Sequence, residues 1–194
     1  MLPRRVRSAS YAAMSLGRCA LLLGLVFVPA CTIEAVAPKP SPNVIAHPRF
    51  DGSFQLDLSE VPKYRTCSEA SGLKDFCVDR FRGAFDEGLK SLLGGFFRSG
   101  SQAYKARFKL SEFSHTRANG VVVVSLRWQF VLSDASGRSV VELAESTTGP
   151  KTMGSIVGGD DVVGALINAT LERIGKALNE SSVEPTGAAP PPAT

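Results

Sequence analysis

Alternating apolar and polar positions predict four β-strands in this chain. The first covers Phe50 to Leu58, where every second residue is apolar. The same two-residue period recurs over residues 104–110, 122–132 and 139–145. A period of two is typical of a strand that buries one face. The last three strands follow one another closely, and Asn119-Gly120 between two of them is a typical hairpin turn.

Apolar residues at three- and four-residue intervals predict two amphipathic helices. The first is predicted from about Asp75 to Phe97, with charged residues in the gaps of the apolar pattern. The second follows the acidic pair Asp160-Asp161 and runs to about Leu178. Acidic residues at its start suit the positive end of a helix dipole.

The order of these elements is β-α-β-β-β-α, which predicts an α+β fold. We expect a two-layer sandwich with a mostly antiparallel, four-stranded sheet and two helices on one face. The other face would be more open. Lys105, Arg107 and Lys109 fall on that outward face, so we expect it to be polar with a basic tint.

Residues 1–30 have the organisation of a secretory signal peptide. A basic lead-in containing four arginines precedes the apolar run from Cys19 to Val28. The run is about ten residues long, which is too short to cross a bilayer as a helix. We therefore expect these residues to direct export and then to be removed.

The end of this segment, Val28-Pro29-Ala30-Cys31, resembles the lipobox of bacterial lipoproteins. The resemblance implies that Cys31 carries a diacylglycerol and that its new amino terminus receives a further acyl chain such as palmitate. Thr32 follows where an Asp would favour retention in the inner membrane, so we expect the outer membrane, facing the periplasm. The alternative is an ordinary signal peptide that happens to end beside a cysteine.

Residues 31–48 are predicted to form a lipidated cysteine and a proline-rich tether. Four prolines in this segment disfavour both helix and sheet. Extended, such a tether would reach up to about 50 Å from the lipid. The folded domain is then expected over residues 49–180, and residues 181–194 are expected to be a disordered tail.

The charge of the chain depends on its first thirty residues. The 194 residues include 22 Lys and Arg against 18 Asp and Glu, a net charge of +4. Four arginines and no acids lie in residues 1–30, so 18 basic and 18 acidic residues remain after that segment. A neutral domain has no bulk attraction for nucleic acid, which we therefore do not expect as a partner.

Two cysteines, Cys67 and Cys77, remain in the predicted domain. A pair of cysteines in an exported domain is typical of a disulfide. Such a bond would attach the 61–75 loop to the first turn of the first helix. The alternative is a pair of buried thiols. A zinc site is not expected, because no histidine lies near the pair in sequence.

Catalytic chemistry is not indicated by the remaining residues. The two histidines, His47 and His115, fall in the proline-rich segment and in a predicted hairpin loop, where we expect both to be solvated. Neither lies in a nucleophile or metalloprotease motif. We expect no enzyme activity, no metal and no cofactor, and we expect Trp128 to pack in the core.

The domain is similar to a loose set of small bacterial envelope lipoproteins. The similarity lies in the element order, in the Leu126–Phe130 hairpin strand with Asp134 and Gly137 after it, and in the final apolar helix. The set includes auxiliary lipoproteins of ABC-type lipid transport systems, the lipopolysaccharide-assembly lipoprotein and the YajG-like group. The resemblance implies a non-catalytic domain that binds a membrane-protein partner or links envelope machinery.

These observations together predict a lipid-anchored, non-enzymatic accessory or assembly subunit of an envelope transport or assembly system. One alternative is a periplasmic module that binds lipid or a small ligand in a groove between the helices and the sheet. A second alternative is an anchored hydrolase, for which His115 would be the available base.

Overall fold

The computed structural model describes residues 33–68, 76–119, 121–150, 152–153 and 159–181. Eight strands and two helices lie in these ranges. In chain order they are β1 (Ile33–Val36), β2 (Phe50–Asp57), β3 (Thr66–Ser68), β4 (Phe76–Asp79), α1 (Phe81–Gly94), β5 (Phe97–Ala118), β6 (Val121–Ser133), β7 (Ser139–Thr148), β8 (Thr152–Met153) and α2 (Gly159–Glu180).

The larger sheet has the strand order β2-β5-β6-β7, and β8 pairs with the start of β6. Strand β2 is parallel to β5, whereas the other neighbours are antiparallel. Both helices pack on one face, where Phe85 of α1 stacks on Phe108 with ring centroids 4.6 Å apart. Trp128 is buried next to Phe108. The α+β class predicted from the sequence is confirmed.

A second, smaller sheet has the strand order β1-β4-β3, and it corrects the predicted start of the first helix. Its central strand is β4, in which the side chains of Phe76, Cys77 and Val78 are all buried. A short strand buried on both faces is a continuous apolar run, which cannot be told from a helix by periodicity. Arg80, with φ at 60°, separates this strand from the helix that begins at Phe81.

Strand β5 is much longer than the predicted segment 104–110. It covers 22 residues and contains an irregularity between Leu110 and Glu112. One extra residue in a strand moves the following side chains to the opposite face. Tyr104, Ala106 and Phe108 therefore face the core before the bulge, and Phe113 and His115 face inward after it.

Residues 37–46, called the strap below, lie along α2 in an extended conformation. The backbone N–H of Ser41 donates to Asn168 Oδ1 at 2.9 Å, and that of Asn43 donates to Glu172 Oε1 at 3.0 Å. Asn179 closes the series, because its side-chain amide donates to the carbonyl of Ile45 at 2.9 Å. These bonds satisfy backbone groups that have no strand partner.

The strap is also in contact with α1, so it lies in the groove that the two helices form. Its first residue, Ala37, donates its N–H to the carbonyl of Asp79 just before α1, and Lys39 pairs with Glu87 of α1 at 2.9 Å. Near its other end, a Cβ built at Gly95, which caps α1, would lie 2.7 Å from the Cβ of Ala46. The strap therefore follows both helices from their amino to their carboxyl ends, and α1 and α2 run in the same direction.

Glycines on the helices provide the room for the strap. A Cβ at Gly164 would lie 2.8 Å from the ring of Pro38, and one at Gly175 would lie 2.6 Å from Val44. On α1, a Cβ at Gly88 would lie 2.6 Å from Leu171 and 3.0 Å from Pro40. Contacts under about 3 Å force a neighbour to move, so a side chain at these positions would displace the strap or the opposite helix.

The predicted tether over residues 31–48 is therefore wrong for its described part, residues 33–48. Proline disfavours helix and sheet, but it does not prevent an extended segment from packing in a groove. A proline has no N–H, so the strap buries fewer backbone donors than another sequence would. The folded domain extends back to Ile33 instead of starting at residue 49. The predicted tail lies outside the described residues, except for Ser181.

Within the described ranges, neither α1 nor α2 combines the length and the hydropathy that a bilayer span requires.

Replacement of Gly88 by Ala is expected to lower the free energy of unfolding by about 1–3 kcal/mol, because the added methyl group overpacks the helix–strap–helix contact. Gly83 on the same helix is the matched control, because a Cβ there meets nothing within 4 Å. Gly83→Ala should raise stability by about 0.5–1 kcal/mol through helix propensity alone. Urea denaturation of both variants tests this. Equal stabilisation by the two substitutions would contradict close packing of the strap.

Candidate functional site

Cys67, Cys77 and His115 lie at the end of the domain where β1 begins, which we call the anchor-proximal end after the lipid site predicted at Cys31. Cys31, the predicted lipid attachment site, lies outside the described residues. Strand β1 begins two positions later, at Ile33, which lies opposite Phe76 in the register of β1 and β4. The end of β3 at Ser68 also lies opposite Phe76.

Cys67 and Cys77 form a disulfide, as the sequence predicts, but its location differs from the expected one. The two residues are directly opposite each other in the antiparallel pair β3–β4, with Cα atoms 4.0 Å apart. The bond therefore joins two strands of the small sheet and does not attach a loop to the helix. The expected helical position of Cys77 is wrong because the helix begins only at Phe81.

Next to the disulfide, Ser68 and His115 form a buried polar pair. The Ser68 hydroxyl lies 2.6 Å from Nδ1 of His115 and 3.2 Å from the carbonyl oxygen of Phe76. Ser68 is fully buried, and His115 is only 6% exposed. A hydroxyl has one proton, so both contacts are hydrogen bonds together when Nδ1 carries the proton and donates to Ser68, which then donates to Phe76.

The inward position of His115 differs from the solvated loop that the sequence predicts for it. The bulge near Ser111 shifts the alternation by one residue, so the phase read from Tyr104 to Leu110 does not continue. The sequence does contain a signal for this change of phase. After the bulge, Phe113 and His115 alternate with Glu112 and Ser114, one position out of step with the alternation before it. His47, the other histidine, is exposed as expected.

The serine–histidine pair joins the two sheets. Ser68 ends β3 of the small sheet, whereas His115 belongs to β5 of the large one. Phe113 extends this contact, because its ring centroid lies 5.8 Å from that of Phe76 and 5.6 Å from that of Phe81. A serine nucleophile has to reach its substrate. The described geometry instead buries the hydroxyl, so the pair acts here as a structural hydrogen bond.

The open face of the large sheet is the second candidate surface, and its charges are compensated. Lys105 and Arg107 both face Asp57, at 3.3 and 3.6 Å, and Lys109 pairs with Glu60 at 2.7 Å. Hydrogen bonds from Ser59, together with the Lys105 ammonium, hold the pKa of the Asp57 carboxyl well below its usual range. The expected basic tint is therefore neutralised by neighbouring acids.

A shallow groove of about 730 Å³ lies on this open face. Its walls include Lys105, Arg107, Gln129 and the turn after β6, and Val131 contributes to its apolar surface. A ligand site between the helices and the sheet, the alternative considered from the sequence, is not supported, because that space is filled by core side chains such as Leu166, Phe85 and Trp128. In the described ranges, no cluster of His, Cys, Asp and Glu could hold a metal ion.

Comparison with known proteins shows a shared fold. The Xanthomonas campestris protein XCC0632, described by the family model DUF330, superposes with a TM-score of 0.52 at 11% sequence identity. The match covers 76% of this chain and 92% of the Xanthomonas chain. At this identity the likeness establishes the fold alone. No family model matches the sequence, and no curated protein matches it either.

Two further solved structures are similar over smaller or looser superpositions. One is a protein from Caulobacter crescentus described as a lipoprotein, with a TM-score of 0.42 and 18% identity over 52% of this chain and 82% of that one. The other is the minor lipoprotein from Acinetobacter baumannii, with a TM-score of 0.38 and 15% identity over 66% and 90% of the two chains.

Reduction of the disulfide is expected to lower the free energy of unfolding by about 2.5–3 kcal/mol, because the reduced chain regains the loop entropy that the cross-link removes. Urea denaturation of the oxidised and reduced protein measures the difference. The double variant Cys67→Ala/Cys77→Ala serves as the control, since reductant should not change its stability. An equal effect of reductant on both proteins would refute the assignment.

The hydrogen bond between Ser68 and His115 is expected to show a favourable coupling energy of about 0.5–3 kcal/mol, because both groups are buried. A double-mutant cycle with Ser68→Ala and His115→Phe measures it by chemical denaturation. Ser125 and Thr148, whose hydroxyls are 3.4 Å apart on the exposed sheet surface, provide a comparison cycle with coupling near zero. If the changes in the free energy of unfolding for Ser68→Ala and His115→Phe simply add in the double variant, the hydrogen bond between the two residues makes no contribution to stability.

Proposed function

We propose that this chain is a lipid-anchored envelope protein that acts as a non-enzymatic accessory or assembly subunit of a membrane-bound transport or assembly system. The anchor is the lipid on Cys31, within the lipobox-like segment Val28–Cys31. The mature protein lies in the bacterial cell envelope, on the outer membrane and facing the periplasm. Its partner is another envelope protein.

The observation that carries this proposal is the distance along the chain between the lipid site and the folded domain. Only Thr32 separates Cys31 from β1, which begins at Ile33. The strap then continues into the helix layer without any free segment. A domain held this closely cannot search across the periplasm, so its partners are proteins at the same membrane or proteins that extend to it.

The described surfaces favour a binding role over catalysis or transport of a small molecule. The serine and histidine that could form a nucleophile pair are buried, and they join the two sheets. Among the described residues, the space between the helices and the sheet is occupied by core side chains. The open sheet face is accessible, and its basic side chains are paired with acids, so a protein partner would meet no large net charge there.

The likeness to XCC0632 covers most of that protein's length and concerns the fold alone. The alternatives considered from the sequence, a periplasmic ligand-binding module and an anchored hydrolase, have no comparable observation in their favour.

The substitution Cys31→Ala is expected to abolish lipid labelling and to leave the protein unprocessed or released from the membrane fraction, because the acyl chains supply the attachment. Metabolic labelling with a radioactive or clickable fatty acid, followed by membrane fractionation, measures both effects. Cys19→Ala is the matched control: Cys19 lies in the apolar run of the signal peptide, so its loss should change neither result.

The accessory role is tested in the same strains. A strain that lacks the gene should lose envelope integrity, measured as sensitivity to detergent and large antibiotics. Wild type and Cys19→Ala should restore it, and Cys31→Ala should not. Full complementation by an unlipidated, released protein would contradict the proposal, and unchanged labelling of Cys31→Ala would contradict the anchor itself.

A further inference from the structure

The short connection between the lipid site and β1 fixes which part of the domain lies nearest the membrane. Consecutive Cα atoms are about 3.8 Å apart, so the Cα of Cys31 lies within about 8 Å of the Cα of Ile33. If Cys31 carries the lipid, as proposed above, Ile33 is held at the level of the lipid headgroups. The neighbours of Ile33 in the fold must then be close to the same surface.

The register of the strands identifies those neighbours. Ile33 lies opposite Phe76, and Phe76 lies opposite Ser68. Ser68 contacts His115, and His115 lies opposite Val124 on β6. The N–H of Gly149, directly after β7, donates to the carbonyl of Val124 at 2.8 Å. Both sheets therefore present the ends of several strands at the anchor-proximal end.

The opposite end of the domain lies far from this surface. Strand β5 extends from His115 back to Lys105, which lies opposite Ser133 at the end of β6. Ten residues of strand cover about 33 Å. The turn of residues 134–138, stabilised by the N–H of Ser136 and the N–H of Arg138 donating to Asp134, follows directly. The open groove is lined in part by this turn.

The sides of the domain offer little to a lipid surface. In the described part of the chain, the large apolar residues that are exposed are Val36, Ile45 and Tyr64, and Val36 belongs to β1 itself. The outer stripes of α1 and α2 hold charged pairs such as Asp86–Lys90. After residue 30 the basic and acidic residues are equal in number, so no bulk charge draws a side onto anionic lipid.

We propose that the anchor-proximal end rests on the surface of the bilayer and that the domain stands upright on it. The strap, α1 and α2 then run roughly along the membrane normal. The turn of residues 134–138 and part of the open groove then lie about 30 Å from the lipid, because β5 and β6 span that distance. The lipid surface is the partner of one end, and the other end is left free for an envelope protein. This inference rests on the proposed lipidation of Cys31.

The orientation is tested with the full lipidated protein in vesicles of phosphatidylethanolamine and phosphatidylglycerol. A fluorescent non-natural amino acid is placed at Thr116, near the anchor-proximal end, or at Ala135, in the distant turn; both residues are exposed. A fraction of the lipids carries a nitroxide on the headgroup, which quenches only at short range. We expect at least threefold stronger quenching at Thr116 than at Ala135.

A linker variant controls for the short connection. Insertion of twenty Gly and Ser residues between Thr32 and Ile33 lets the domain move about 25 Å from the lipid site. We expect this variant to remain on the vesicles and to lose the stronger quenching at Thr116. Circular dichroism and thermal denaturation of each labelled protein check that the fold is unchanged.

The outcomes separate the two proposals. Equal quenching at the two positions, or stronger quenching at Ala135, in a lipidated and vesicle-bound protein would overturn the upright orientation and leave the anchored function intact. Unchanged quenching in the linker variant would show that surface contact sets the orientation, which contradicts the role assigned to the short connection. A protein that carries no lipid would overturn the anchored function and the orientation with it.

Discussion

The strap between α1 and α2 is the constraint on which the helix layer depends. The two helices contact each other, because Leu171 of α2 lies against Gly88 and Leu92 of α1 lies against Gly175. The glycines at positions 88, 164 and 175 also leave a groove along this contact, which Pro38, Pro40 and Val44 fill. Side chains of α2 accept from the strap backbone along the groove. The strap therefore runs along the groove formed by two helices that also touch each other, and it contacts both of them.

A second joint holds the two sheets together. The small sheet contributes only short strands, which are marginal on their own. Its central strand is fixed by the disulfide to β3, and Ser68 at the end of β3 is bonded to His115 of the large sheet. The hydroxyl of Ser68 is hydrogen-bonded both to His115 and to the carbonyl oxygen of Phe76, so this buried contact adds specificity to the way the two sheets meet. The strap and this joint together connect β1 to the rest of the domain.

Much of the fold follows from the sequence, and the failures have particular causes. Three elements are well predicted, because each buries a single face and its apolar residues therefore recur at a regular interval. They are the strands Phe50–Asp57 and Val121–Ser133 and the final helix. The start of α1 was wrong because β4 is buried on both faces. His115 was misplaced because one bulge residue reverses the phase of β5. The sequence predicts a tether at the strap, because the strap packs on glycines far away in sequence and no local pattern indicates them.

The parallel pairing of β1 with β4 has a mechanical consequence for a chain held at its amino end. The four residues of β1 lie opposite the four residues of β4 in register, and the strap continues in the same line along α2. A pull on the amino terminus therefore acts along the strand and not across it. Such a load is shared by all the hydrogen bonds between β1 and β4 and by the bonds from the strap to Asn168 and Glu172. These bonds therefore resist the load together and do not open one after another. Under the proposed lipidation of Cys31, tension from the membrane would load β1 and the strap in shear.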